Sequence, residues 1–223
     1  MQTPSVHFWR VKFEPKLGVK QHRVTSWSGH ALFAPILSGA FQTLRVSAAI
    51  WEQDHEWLSL HAEPNISLFE GEHGKETERA RYNAKQRARA IQSGKIVRSE
   101  HAGFSDFFVP MVVQGKVIAL LVVGPFQLER PSARVILARW HRLTGRRGHP
   151  SDPEFAQYLS MTLATLVLEG DRVEVFGEML GFLAALMAGT GNAEKLANRA
   201  EVLRGKLVQL RRVEESWDVV QRL

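Results

Sequence analysis

The chain has 223 residues, of which 44% are apolar and 23% charged, and this composition is typical of a globular protein that buries its own core. It contains no cysteine, which excludes disulfides, thiolate nucleophiles and cysteine-ligated metal centres. The 29 basic and 23 acidic side chains give a net charge of +6, so partners of negative charge have to be considered.

Targeting signals are missing from the sequence. Residues 1–20 carry Lys, Glu and Pro where a signal peptide is continuously apolar, and no segment is long and apolar enough for a membrane span. We therefore expect a cytoplasmic protein with no membrane partner. The length predicts one domain, residues 1–190, followed by a helical extension over residues 191–223.

The first third of the chain is predicted to contain three strands and a helix. Residues 9–13 alternate between aromatic or aliphatic and basic side chains, as in a strand with one buried face. Apolar residues recur at helical spacing over residues 31–44, and Pro35 suggests that the helix begins about there. Residues 46–51 and 57–61 flank a polar turn and predict a hairpin.

A long basic helix is predicted from Lys75 to Gln92, because this segment has no Gly or Pro and is rich in Ala, Arg, Lys and Glu. Its small side chains recur on one face, which we expect to be the buried one. That face consists of Ala80, Ala84, Ala88 and Ile91.

The strongest strand pattern follows this helix. After a short strand at residues 96–99, two apolar and β-branched runs, residues 106–113 and 116–123, are separated by Gln114-Gly115. This arrangement predicts a hairpin in the middle of a sheet. The fold class is therefore predicted to be α+β, with a central antiparallel sheet flanked by helices.

The last third of the chain is predicted to be helical. The pattern gives helices over residues 132–143, from residue 153 to about residue 168, and over residues 173–188. Ser151 and Glu154 have the spacing of a capping box at the start of the second of these helices.

A heptad-like pattern closes the chain. Every seventh residue is large and apolar, which is typical of a coiled coil that joins two copies of a chain. These residues are Leu196, Leu203, Leu210 and Trp217. A helix that packs on its own domain would show the same period, so both interpretations stay open. The chain ends at Leu223 without a helix stop signal, and we expect an output domain beyond it.

The sequence offers no catalytic pattern. The nucleophile elbow, the phosphate-binding loop and the dinucleotide fingerprint are absent, and the nine histidines lack the spacing of a known metal site. We therefore expect neither an enzyme nor a resident metal or cofactor. The basic run from Lys75 to Arg98 has two interpretations, a solvated helix face or a contact with nucleic-acid phosphates. Because no reading helix is recognisable, we expect no sequence-specific contact with DNA.

Aromatic residues near a histidine form the best candidate binding site. Apolar walls with a few polar groups that orient the ligand are typical of small-molecule pockets. The predicted site consists of His101 as the polar contact and of Trp51, Trp57, Phe104 and Phe108 as walls.

The run from Ala90 to Phe126 resembles the central signature of PocR-type sensory domains, which are relatives of GAF and PAS sensors. The residues that fall on the family pattern are His101, Gly103, Phe104, Val109, Pro110, Gly115 and Gly124. Glu100 stands where the family usually has cysteine, and Pro125 where it usually has glutamine.

This resemblance implies reversible binding of a small organic effector between the sheet and the basic helix. Domains of this family are frequently attached to an AraC-type helix-turn-helix or to another signalling output. The expected partners are therefore the effector, a second copy of the chain and an output domain.

Overall fold

A computed structural model describes residues 30–52, 57–63, 66–190 and 192–221. The strand predicted at residues 9–13 and the turn of the first hairpin lie outside this part of the chain. The described residues form seven helices and five strands. In chain order these are α1 (His30–Leu44), β1 (Ala48–Glu52), β2 (Trp57–His61), α2 (Ser67–Glu72), α3 (Glu76–Ser93), β3 (Val97–His101), β4 (Phe104–Val113), β5 (Lys116–Phe126), α4 (Ala133–Thr144), α5 (Pro153–Ala164), α6 (Asp171–Met187) and α7 (Ala193–Gln221).

The five strands form one sheet in the order β2-β1-β5-β4-β3, and every neighbouring pair is antiparallel. Both predicted hairpins are present, and the predicted α+β class is confirmed. The β4–β5 turn has positive φ at Gln114 and Gly115, 50° and 77°, as a two-residue type I′ turn requires. This turn twists with the strands and sets the register of the two longest strands of the sheet.

Successive residues of β4 face opposite sides of the sheet, because the side-chain period of a strand is two. Phe107, Val109 and Met111 are buried in the main core with residues of α1 and α6. Phe108 lies on the other face, in a smaller cluster with Trp51 of β1 and Ala90 of α3. The sheet thus separates the main apolar core from a second layer that α3 covers.

One helix start and one helix cap differ from the prediction. Helix α1 begins at His30 and contains Pro35, so the predicted start at the proline is wrong. The cost of an internal proline is offset by the burial of Leu37 and Phe41, two and six residues later. The N-cap of α5 is Asp152 instead of Ser151, since its carboxylate accepts a 3.0 Å hydrogen bond from the Glu154 amide.

The end of α5 also differs from the prediction. The helix stops at Ala164 and does not reach residue 168. The next residues are extended, because Leu166 and Leu168 exchange 2.8 Å backbone hydrogen bonds with Gln127. These bonds satisfy polar groups at the end of β5 that a longer helix would leave unpaired. Helix α2 has no counterpart in the prediction.

Helix α7 packs against α6 of the same chain. Leu203 is 5% exposed, and Lys206 forms a 2.6 Å ion pair with Glu178 of α6. The heptad residues Leu210 and Trp217 lie outside the side chains that the structure describes. The packing of Leu203 therefore accounts for one part of the heptad pattern within a single chain. In the described ranges, no helix has the length and apolar character needed to cross a membrane.

The β4–β5 turn gives a direct test of the fold. We expect Gly115→Ala to lower the free energy of unfolding by about 1 kcal/mol, because an L-residue is disfavoured at positive φ. Gly205→Ala in α7 is the matched control, since its Cβ meets no atom within 4 Å and alanine favours a helix. Urea unfolding should show a loss for the first variant and no loss for the second. Equal effects would contradict the turn assignment.

Candidate functional site

Helix α3 turns a polar face toward the sheet. The alanine stripe predicted to be buried is exposed at Ala80, Ala84 and Ala88, so the predicted orientation of the helix is wrong. Gln86 is 5% exposed, and Arg79 is half-buried on the inner side. The charged Arg79 can lie between α3 and the sheet because it meets side chains of opposite charge there.

Arg79 bridges two buried carboxylates. Its Nε and Nη2 donate to the two oxygens of Glu70 in α2, at 2.6 and 3.1 Å, and its Nη1 donates to Oδ2 of Asp106 in β4 at 3.1 Å. The side chains of Glu70 and Asp106 are 3% and 8% exposed. The planar guanidinium thus joins α2, α3 and the sheet through one group.

The two carboxylates respond differently to burial. Burial would raise the pKa of Glu70, but hydrogen bonds from His101 and Arg79 hold it below its usual value. Burial raises the pKa of Asp106, and the positive charge of Arg79 opposes this only in part. Asp106 is therefore the carboxyl of the cluster that more readily takes up a proton.

Tyr82 and His101 complete the polar cluster, which we define as Glu70, Arg79, Tyr82, His101 and Asp106. The rings of Tyr82 and His101 stack with centroids 4.8 Å apart, and His101 Nε2 lies 3.4 Å from Glu70 Oε1. Burial, with the nearby charge of Asp106, raises the pKa of Tyr82. Its hydroxyl is buried next to Ser99 of β3 and Asp106 of β4, which both interact with it. Tyr82 thus connects α3 to two strands of the sheet.

Gly124 of β5 makes room for Asp106. Its φ is +154°, and a Cβ at this position would overlap Oδ1 of Asp106. Any larger residue would force the carboxylate to move. This contact gives a physical reason for the glycine that the family resemblance singled out.

The predicted site residues follow one face of the sheet. Phe104, Asp106 and Phe108 alternate along β4, so they share a face, and Phe104 pairs across the strands with His101. The structure thus brings His101 into the polar cluster and places an aromatic ring on each side of Asp106. Phe104 is 1% exposed and belongs to a neighbouring apolar cluster with Phe69 and Trp140.

The two predicted tryptophans pair across the β1–β2 hairpin and contact an arginine. The guanidinium carbon of Arg87 lies 4.7 Å from the ring centroid of Trp51 and 5.3 Å from that of Trp57. Trp51 is 6% exposed, whereas Trp57 is 41% exposed at the edge of the sheet. Arg87 of α3 therefore packs over both tryptophans at the β1–β2 edge of the sheet through cation–π contacts.

Sequence reasoning missed most of the polar cluster. Glu70 lies on the unpredicted helix α2, and Arg79 was treated as one charge of a basic run. Asp106 is the first residue of the strand predicted at residues 106–113 and is not among the predicted site residues. A carboxylate inside an apolar strand was the available signal, because buried charge requires a partner.

A groove of about 420 Å³ lies elsewhere, between α6 and α7. Its walls are almost wholly apolar and consist of Met179, Phe182, Leu183, Ala200, Leu203, Arg204 and Val208. Among the described residues, no group of three histidine or carboxylate side chains is placed to hold a metal ion.

The opposite pKa directions at Glu70 and Asp106 give a test by pH. A depressed pKa means that Glu70 stabilises the fold above its unfolded pKa of about 4.3, and that this contribution is lost as the pH falls. The cost of Glu70→Gln should therefore shrink below about pH 4. A raised pKa means that the contribution of Asp106 is present below about pH 3.9 and is lost as the pH rises.

The cost of Asp106→Asn should accordingly shrink as the pH rises toward 7. Urea unfolding of the wild type and both variants between pH 3 and 7 gives the measurement. Parallel pH dependence of the two variants would contradict the different environments assigned to the carboxylates.

Comparison with known proteins gives one match. The family model described as the sensory domain found in PocR covers residues 34–191, more than two thirds of the chain. This range contains the whole sheet, the polar cluster and α6. No curated protein and no solved structure matches the chain.

Proposed function

The chain belongs to the family of sensory domains found in PocR, and from that premise we propose that it binds a small organic effector and regulates an output domain without catalysing a reaction. The polar cluster on one face of the sheet is the observation that carries this proposal. Its buried carboxylates and guanidinium are costly to remove from water, so an apolar layer would serve the fold as well.

The effector site proposed here lies between α3 and the sheet. His101 is its first polar contact, and Trp51, Trp57, Phe104 and Phe108 are its aromatic walls. The side chain of His101 is 19% exposed, which leaves it reachable from solvent. The ring of Tyr82, which stacks on His101 with centroids 4.8 Å apart, orients this histidine.

Transmission to the output is proposed to run through β4 and α6. Asp106 and Phe108 face the proposed site, while Phe107, between them, faces α6 and lies 6.1 Å from the ring of Phe176. An effector with different affinity for two arrangements of β4 would thereby shift α6 and the helix packed on it.

The domain organisation proposed on this basis is a sensory domain over residues 1–190 and a connecting helix over residues 191–223. The family resemblance favours a transcription regulator of the AraC type as the whole protein. A cytoplasmic location suits a chain without cysteine. The alternative role is a sensor that no longer binds an effector and serves only for dimerisation.

Effector binding should stabilise the fold. At a hundredfold excess over the dissociation constant, a bound metabolite should add about 2.7 kcal/mol to the free energy of unfolding. A thermal-shift screen over a broad metabolite set gives the measurement. If no metabolite shifts the transition, the dimerisation role becomes the better description.

Variants locate the site once an effector is found. His101→Ala and Trp51→Ala should each reduce the shift, because both remove a proposed contact. His149→Ala is the matched control, since this histidine is exposed on the loop before α5 and should leave the shift unchanged. An unchanged shift in the folded His101 and Trp51 variants would contradict the placement of the site.

A dimer through the C-terminal helices is proposed from the heptad pattern and from the exposure of Val202 and Val208 on α7, 59% and 42%. Sedimentation at tens of micromolar should give a dimer for the full chain and a smaller species for a chain cut at Gly189. A monomer in both cases would contradict this proposal.

A further inference from the structure

The outer face of α3 carries a row of cations. Arg81, Lys85 and Arg89 are spaced four residues apart and are all exposed. Four residues of α-helix rise about 6 Å, so the three charges follow one line about 12 Å long. We call these three residues the basic row.

The basic row is not explained by helix stability. Like charges four residues apart weaken a helix by a few tenths of a kcal/mol for each pair. No acidic residue occurs between Arg79 and Ser99, and the carboxylate one turn before the row, Glu78, is paired with Lys75 at 2.8 Å. Arg81 and Lys85 form no ion pair with any residue in the described ranges. The charge of the row is therefore available to a partner.

The residues around the basic row define the class of partner. The exposed neutral neighbours are small or polar, namely Ala84, Ala88 and Gln92. A helix that lies on a membrane surface needs large apolar side chains next to its cations, and these are absent from the exposed face of α3. Small neighbours instead allow a rigid line of anions to approach all three charges.

We propose that the basic row binds the phosphate backbone of a nucleic acid, without sequence preference. Phosphates along one strand repeat every 3.4 Å of axis, so a row about 12 Å long spans three or four of them. The row consists of cationic side chains, and contacts of such side chains with phosphates carry no sequence information. The row lies on an exposed flank of α3 and shares no residue with the polar cluster.

The test uses the 223-residue chain and two fluorescein-labelled 20-base-pair duplexes of unrelated sequence. Three phosphate contacts predict a logarithmic salt slope of about −2.7, which weakens binding about 40-fold between 50 and 200 mM salt. Both duplexes should bind equally. Preference for one duplex would overturn the proposal of binding without sequence preference.

Variants assign the contact to the basic row. The triple variant should weaken binding more than about tenfold at 50 mM salt and reduce the logarithmic salt slope by about three. It combines Arg81→Gln, Lys85→Gln and Arg89→Gln. The double variant that keeps Arg89, which donates to Gln86, should reduce the slope by about two. The matched control removes the exposed charges of Lys116, Arg134 and Arg142 and should keep the slope close to the wild-type value.

Three outcomes would overturn the proposal. An equal loss of binding in the control would assign it to net charge alone. Absence of salt-sensitive duplex binding by the folded wild type would contradict a nucleic-acid site on this chain. Binding to phosphatidylserine vesicles but not to either duplex would make a lipid surface the partner.

Discussion

The guanidinium of Arg79 is the group on which the arrangement of one whole layer depends. It holds Glu70 of α2 with two hydrogen bonds and Asp106 of β4 with a third, all within 3.1 Å. Both carboxylates are buried, so neither can exchange this partner for water. Loss of one member of such a pair typically costs about 3–5 kcal/mol, because the remaining charge stays buried without compensation. Helices α2 and α3 are therefore tied to the sheet by charge as well as by apolar packing.

This constraint determines what the two faces of α3 can do. With Arg79 and Tyr82 turned inward, Ala80, Ala84, Ala88 and the basic row are exposed. The inward face meets Asp106 between two phenylalanines, and the conformation of Gly124 leaves space for that carboxylate. A polar centre with aromatic flanks is suited to recognising a small polar molecule, whereas the other face of the sheet is a conventional apolar core.

Local patterns predicted the elements well, and non-local pairing explains what they missed. Gln114-Gly115 between two β-branched runs specifies a hairpin by turn geometry alone, and the composition of α3 specifies a helix. Its orientation was predicted from the rule that small and apolar side chains face inward. That rule fails here because Glu70, supplied by a six-residue helix without a clear sequence pattern, pairs with Arg79. His101 could be identified from the aromatic residues near it in the sequence, whereas Tyr82 is recognised only from its stacking on His101.

A double-mutant cycle on Arg79 and Glu70 tests this account most directly. Unfolding free energies at pH 7 are needed for the wild type, Arg79→Met, Glu70→Gln and the double variant. We expect Arg79→Met to cost about 3–5 kcal/mol and the two sites to couple by about 1.5–3 kcal/mol, as for hydrogen bonds between buried charges. A cost below about 1 kcal/mol with no coupling, as for a solvated surface arginine, would contradict the inward orientation of α3.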